Sequence, residues 1–216
     1  MITQEVLMKV TKYPQSCLLI EHNGKRLLID PGSLVPQRYK AADILPVDGI
    51  LITHEHIDHA DPEFIKSLVN EHSIPIVGNK STSNTLSSLI TIVVEDGEEI
   101  DVAGFTVKAF ELPHCRLVNG STGPQNTGYI INKTFFHPGD GIEIDNLNID
   151  TAAVTIAGPD ISPHDVYQFI KDLGCRTVIP IHYDYFPGDP HFIATIMNGN
   201  SSLKVIVLEN GESAVI

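Results

Sequence analysis

The chain has 216 residues, with 14 Lys+Arg against 27 Asp+Glu for a formal net charge of −13, and is 42% hydrophobic and 19% charged. That is enough apolar sequence to bury one core, which excludes disorder as the main state, and a negative balance without any run of Lys and Arg excludes the basic face of a nucleic-acid binder. No apolar stretch reaches the roughly 18 residues of a membrane span, Met1 to Val10 lack the regions of a signal peptide, and Cys17, Cys115 and Cys175 are odd in number and widely spaced, so a cytoplasmic, disulfide-free protein is expected.

Alternation of Val6, Met8 and Val10, then Cys17 to Ile20 and Leu27 to Ile29, predicts two or three short strands, with Asn23-Gly24 as the tight hairpin turn between the last two. Gly49 to Thr53 reads as a buried strand, and Asp61-Pro62-Glu63 opens a helix through about Asn70 with Phe64, Ile65, Leu68 and Val69 on its apolar face. Ile74 to Val77 and Ile90 to Val94 are strand-like, with Ser81 to Ser88 a helix candidate between them. Further strands are expected over Val107 to Leu112, Gly128 to Ile131, Thr134 to Phe136 and Ala152 to Ile156. Ser162-Pro163-His164-Asp165 forms a capping box before Val166, Phe169, Ile170 and Leu173, and Gly174 ends that helix. Val178 to Ile181 and Lys204 to Leu208 are the last strands, with a short helix over Phe192 to Met197. No repeat or linker divides residues 1–216, so one mixed domain is expected.

The chemistry concentrates in Thr53-His54-Glu55-His56-Ile57-Asp58-His59, directly after a strand. Imidazole and carboxylate are the ligand types for Zn²⁺ and other divalent first-row metals, and a loop at a strand end can turn them toward one point. Pro113-His114, His137-Pro138-Gly139-Asp140 and His182 also follow strands, and side chains at several strand ends can converge on one rim of a sheet.

The spacing His54, His56, Asp58, His59, then His114, Asp140 and His182, resembles the hallmark of the metallo-β-lactamase superfamily, and the hairpin ending in Asp30-Pro31-Gly32 is similar to that family's first motif. The resemblance covers nearly the whole chain. It implies a four-layer αββα sandwich with two divalent metal ions at one sheet edge, Zn²⁺ first and Mn²⁺ or Fe²⁺ as alternatives. His54, His56 and His114 would then hold one metal, Asp58, His59 and His182 the other, and Asp140 would bridge. Two metals lower the pKa of bound water and clamp the attacking and leaving oxygens, so the nucleophile would be a metal-bound hydroxide, with Asp58 also taking its proton. The short spacings leave little room for a lid domain. With no fused flavin domain and no extra helical domain, the chain is most similar to small metal-dependent hydrolases related to L-ascorbate-6-phosphate lactonase. The one departure noted is Ala60-Asp61 where many members place Gly soon after the first motif.

Beyond the ligands, His164 is a candidate catalytic residue at a helix start, Tyr183 a candidate oxyanion donor and Arg116 a candidate partner for a substrate phosphate or carboxylate. Tyr185 is a second candidate donor, and His137 is either an orienting partner or a packed strand-end residue. His22 and His72 are expected to be solvated, and Cys115 a buried thiol. The leading function is hydrolysis of a lactone-type ester or a phosphoester of a small anionic substrate. A phosphodiesterase or nuclease is second, set back by the −13 charge. A catalytically idle metal-binding module is third, since such members lose ligands and none of the seven is missing. The expected partner is a small molecule, with no nucleic acid and no membrane; subunit contacts leave no readable signature, and a homo-oligomer is compatible.

Overall fold

Strands buried on both faces carry near-continuous apolar runs, and those runs set the two sheets of this protein. The structure, a computed structural model, describes residues 7–69, 74–197 and 203–216. Lys9–Lys12 (β1), Leu18–His22 (β2) and Lys25–Ile29 (β3) form an antiparallel meander. Asn23 and Gly24 turn β2 into β3 at φ values of 50° and 74°, the positive angles a two-residue hairpin needs. From β3 the pairing becomes parallel through Gly49–Leu51 (β4), Ile76–Gly78 (β5) and Ile92–Val93 (β6).

The second sheet repeats this plan. Glu99–Val102 (β7), Phe105–Leu112 (β8), Asn126–Ile131 (β9) and Phe135–His137 (β10) run antiparallel; Thr151–Thr155 (β11), Thr177–Ile181 (β12) and Lys204–Val205 (β13) follow in parallel. Ser213–Val215 (β14) returns to β1, giving the orders β14-β1-β2-β3-β4-β5-β6 and β13-β12-β11-β10-β9-β8-β7 among the described residues.

The period of two along a strand assigns the layers. Leu18, Ile20, Leu27 and Ile29 point between the sheets, where they meet Val107, Ala109, Tyr129 and Ile131. Leu19 and Leu28 point outward against Ile44 of Ala41–Ile44 (α1) and Phe64, Ile65 and Leu68 of Pro62–Val69 (α2). On the far side Val166, Phe169, Ile170 and Leu173 of Pro163–Leu173 (α4) and Ile193 and Met197 of Pro190–Met197 (α5) cover the second sheet. The expected αββα sandwich is therefore the fold. Lys80–Thr85 (α3) is capped by Asn79, whose side chain accepts from Thr82 N.

The expected capping box at Ser162 and Asp165 and the left-handed Gly174 stop bound α4 as read. Other expectations shift. The last strand pairs only over Lys204–Val205, not to Leu208. β7, β14 and α1 were not expected; β7 turns into β8 through Ala103 and Gly104 at φ 55° and 93°, where the glycine was the available signal. Val6, Asn70 and His72 lie outside the described residues. His22 is half-buried, its ring 6.2 Å from that of Phe105, rather than solvated. Among the described residues no helix is long and apolar enough to cross a membrane.

One buried ion pair ties the sheets together beside the strand ends. Lys12 is fully buried, and its Nζ donates to Asp184 Oδ2 at 2.9 Å, Asn210 Oδ1 at 2.9 Å and Tyr13 O at 3.3 Å. Burial works against ionised Asp184, but the Lys12 ammonium, Asn210 and the Gln15 N–H outweigh it and hold its carboxyl below the usual range. Replacing Lys12 with Met strands that carboxylate, so urea unfolding is expected to show a loss of about 3 kcal/mol, with partial recovery in the Lys12→Met/Asp184→Asn double variant. A lowered folded pKa contributes stability above the unfolded value of about 3.9 and loses it as pH falls through the folded value, so the gap between wild type and Asp184→Asn is expected to close below about pH 4.

Candidate metal centre

The loop after β4 brings His54, His56, Asp58 and His59; His114 follows β8, Asp140 follows β10, and His182 follows β12. The structure gathers all seven. One ligand atom each from His54, His56, His114 and Asp140 lies within 4.8 Å of the others, and the same holds for Asp58, His59 and His182.

Hydrogen bonds fix which ring nitrogen faces inward. Asp30, at the end of β3, accepts from Thr53 N at 2.8 Å, Thr53 Oγ1 at 2.7 Å and His59 Nδ1 at 2.8 Å. With its hydroxyl proton committed to Asp30, Thr53 Oγ1 accepts from His54 Nδ1 at 3.0 Å. His114 Nδ1 donates to Cys115 O at 2.5 Å and His182 Nδ1 to Ala157 O at 2.6 Å. Those four rings therefore present Nε2 to the centre as a lone pair. His56 does the reverse, with its Nδ1 lying 3.2 Å from His54 Nε2 and 3.3 Å from His114 Nε2.

Asp140 sits between the groups. Its Oδ2 is 3.4 Å from His114 Nε2 and 3.9 Å from His54 Nε2, while its Oδ1 is 3.2 Å from both His59 Nε2 and His182 Nε2. Asp58 Oδ2 lies 3.4 Å from His182 Nε2 and 3.9 Å from His59 Nε2. His59 Nε2, His182 Nε2 and Asp140 Oδ1 are buried without an aligned hydrogen-bond partner. Lone pairs that converge in a buried site with no donor among them repel one another, and a divalent cation is the partner that satisfies them all. The donor set of imidazoles and carboxylates fits such ions.

The electrostatics divide the rings into two kinds, and a cation would have to displace the proton that two of them favour. Burial pushes His54 well below its ordinary pKa, reinforced by His59, and lowers His56 likewise, so neither competes for a proton. Burial opposes charge on His59 and His182, but Asp140 with Asp30 or Asp58 outweighs it and raises both rings. Burial likewise opposes charge on Asp140 and Asp58, and His182 and His59 overcome it and hold both carboxyls well below the usual range.

Several supporting residues were missed by sequence reading. Gln15, fully buried at φ 65°, donates from Nε2 to Asp58 Oδ2 at 2.9 Å, accepts His182 N on its carbonyl at 3.1 Å and gives its own N–H to Asp184 at 2.7 Å. Asn126 holds the Asp140 loop, accepting from Asp140 N and donating to Pro138 O. His137 is buried, donates from Nε2 to Ser16 O at 2.9 Å and accepts Gly139 N, so it braces that loop and touches no ligand. Gly32 is required by close approach, since a Cβ there would lie 1.8 Å from the Asp58 carbonyl oxygen. The Gly in Asp30-Pro31-Gly32 was the available signal.

A cavity of about 310 Å³ opens onto His56, Asp58, His114 and Asp140. Tyr185 and Phe186 line it, with Phe186 stacked on the His182 ring at a centroid separation of 5.8 Å. Three expected contacts lie elsewhere. Tyr183 is turned away, its hydroxyl donating to Leu208 O at 2.9 Å under the Lys12 ammonium, so Tyr185 takes its place at the cleft. Arg116 is exposed with its guanidinium on Gly120 O at 3.3 Å, and His164 is exposed on the first turn of α4; neither lines the cavity. Cys115 is buried as expected, which pushes its thiol far above the ordinary range.

Residues 9–182 match the family model described as a β-lactamase superfamily domain. A UPF0173 protein of Pyrococcus abyssi is 31% identical over 192 residues, covering 84% of this chain and 86% of its own. A UPF0173 metal-dependent hydrolase of Bacillus thuringiensis is 28% identical over 244 residues, covering 97% of this chain and 100% of its own. Among solved structures, the metallo hydrolase Igni18 of Ignicoccus hospitalis matches with TM-score 0.78 and 20% identity over 97% of this chain and 98% of its own. The metallo-β-lactamase fold protein YhfI of Bacillus subtilis matches with TM-score 0.76 and 17% identity over 98% of this chain. The chain therefore belongs to the β-lactamase superfamily domain family, among its metal-dependent hydrolases.

Proposed function

We propose that the protein is a dinuclear metal-dependent hydrolase acting on the carbonyl of a lactone or related ester, with a phosphoester as the second substrate class. The observation that carries this reading is the split of Asp140, one carboxylate oxygen facing His54 and His114 and the other facing His59 and His182. His54, His56 and His114 would hold one ion, Asp58, His59 and His182 the other, and Asp140 both. Two divalent cations so held lower the pKa of water and offset the charge that develops on substrate oxygens.

The chain's own residues do the rest. Asp58 lines the cavity, with its Oδ2 lying 3.4 Å from His182 Nε2, and is the carboxylate there assigned to take a proton from the attacking water. Gln15 holds that oxygen by donating to it, which fixes the direction of its remaining lone pair. Asp30 keeps His54 and His59 in one tautomer through Thr53 and directly. No serine or cysteine nucleophile is needed; Cys115 and Cys17 are buried with thiols pushed well up.

Elemental mass spectrometry on protein purified without added metal or chelator is expected to find about two divalent ions per chain, falling to about one in Asp140→Ala. A wild-type ratio near one overturns the dinuclear reading. Asp58→Ala is expected to cut lactone or phosphoester turnover by about 10²- to 10⁴-fold while its circular dichroism stays that of the wild type; unchanged turnover in the metal-loaded variant removes Asp58 from the reaction. Gln15→Met, which removes the donor and keeps the volume, is expected to lower kcat or metal affinity by about 10- to 100-fold.

A further inference from the structure

Away from the metal-facing groups, the walls of the cleft are formed by Leu34, Ile57, Leu117, Pro159, Tyr185 and Phe186. The two remaining contributors are uncharged, Ser33 and Gln37, and Gln37 spends a donor on Ser33 O at 3.1 Å. Among the described lining residues there is no Lys or Arg. Arg116, the cation that sequence reading offered to an anionic substituent, is engaged with Gly120 O outside the cavity. At the mouth, Ile57 is 57% and Tyr185 69% exposed, and Val118, next in the chain to Leu117, is 87% exposed. Large apolar side chains held out to water around a cavity mark a surface that another apolar group covers.

We propose that the substrate is an uncharged lactone or ester whose non-reacting part is an apolar chain, lying along Leu34, Ile57, Leu117 and Tyr185 with its carbonyl at the metal centre. This rests on the hydrolase reading above and narrows it, replacing the small anionic substrate that the sequence suggested. Three physical arguments carry it. An anionic group on the substrate's tail, away from the metal-facing residues, would leave water for a wall that holds no Lys or Arg, a cost that the wall does not offset. The −13 charge of the chain repels it as it approaches. An apolar chain instead covers side chains that are otherwise wetted, and the cavity of about 310 Å³ is small-molecule sized. The reaction balances as ordinary hydrolysis. The oxygen of water bonds to the acyl carbon, the acyl C–O bond breaks, the alkoxide takes a proton, and the products are one released proton and a carboxylate with an alcohol, the two joined in a single hydroxycarboxylate when the substrate is a lactone.

The test is a series of γ-lactones with alkyl tails of increasing length, followed by pH-stat on the protein with its own metal, beside the same lactone bearing a phosphate on its tail. The kcat/KM is expected to rise by about fourfold per methylene over the first few carbons, as burial of a methylene provides. The phosphorylated compound is expected to fall at least tenfold below its neutral parent, by the same uncompensated desolvation. Tyr185→Ser and Leu117→Ser are expected to flatten the dependence on tail length, and Leu117→Arg to raise the phosphorylated compound relative to the neutral one. A flat series, or preference for the phosphorylated lactone, overturns the proposal. Calorimetric binding of uncharged γ-lactams with the same tails separates this inference from the hydrolase reading. If no lactone turns over but lactam affinity climbs with tail length, the apolar site stands and lactone hydrolysis falls; affinity independent of the tail overturns the site itself.

Discussion

Lone pairs from five imidazoles and two carboxylates aimed at one buried place repel one another, and the fold around the site is what keeps them there. The force comes from the far side of each ring. Asp30 fixes His59 directly and His54 through Thr53, while the backbone carbonyls of Cys115 and Ala157 fix His114 and His182. None of these acceptors can follow a ring that rotates, because each belongs to a strand end or to a loop held by one. Asp30 itself is fully buried, with three donors on its two oxygens, so its orientation is set before any ion arrives. Electrostatic repulsion at the centre is thus opposed by hydrogen bonds one layer out, and a cation converts that repulsion into coordination.

Part of the backbone strain lies at the same place. Gln15, Asp30 and His182 take positive φ values of 65°, 50° and 66°, and none is a glycine. Such conformations cost on the order of 1–3 kcal/mol each and persist only where the surroundings over-determine them. The surroundings here are the Lys12–Asp184–Asn210 network and the bond from His182 N to Gln15 O, which crosses from the first sheet to the second. The buried ion pair therefore serves the site more than the core: it locks the turn that carries Gln15, and through it the direction of Asp58.

The seven candidate ligands were legible in the sequence because they follow strands that announce themselves by apolar runs, because metal-binding chemistry restricts residue type, and because their spacing resembles a family hallmark. The four layers were implied by the family resemblance rather than by the strand pattern, although Leu18-Leu19-Ile20 and Leu27-Leu28-Ile29 are apolar at every position, as strands covered on both faces are. What escaped was everything that depends on the direction of one side chain. Tyr183 and Tyr185 are two residues apart on one segment, but only tertiary packing puts the Tyr183 hydroxyl on Leu208 O and the Tyr185 ring at the cleft. Arg116 and His164 failed similarly, each near a ligand or a loop in sequence and turned to solvent in space. Gln15 gave no signal at all, since a glutamine in a turn is ordinary until its long-range partner Asp58 is known.

Strand direction explains why residues so scattered share one edge. β1 and β3 are each antiparallel to β2, and β4 is parallel to β3, so the chain leaves β1, β3 and β4 at the same end of the first sheet. Those three exits carry Gln15, Asp30 and the run His54 to His59. In the second sheet β8 and β10 are each antiparallel to β9, and β11 and β12 are parallel to β10, so β8, β10 and β12 also end together. Those exits carry His114, Asp140 and His182. Facing the two sheets across one apolar core brings the two sets of exits together, and each sheet supplies candidate ligands to both groups: His114 joins His54 and His56, and His182 joins Asp58 and His59. A shift of one sheet against the other would separate both groups at once, so the packing of Leu18, Ile20, Leu27 and Ile29 against Val107, Ala109, Tyr129 and Ile131 is part of the metal site's geometry as much as of the fold's stability.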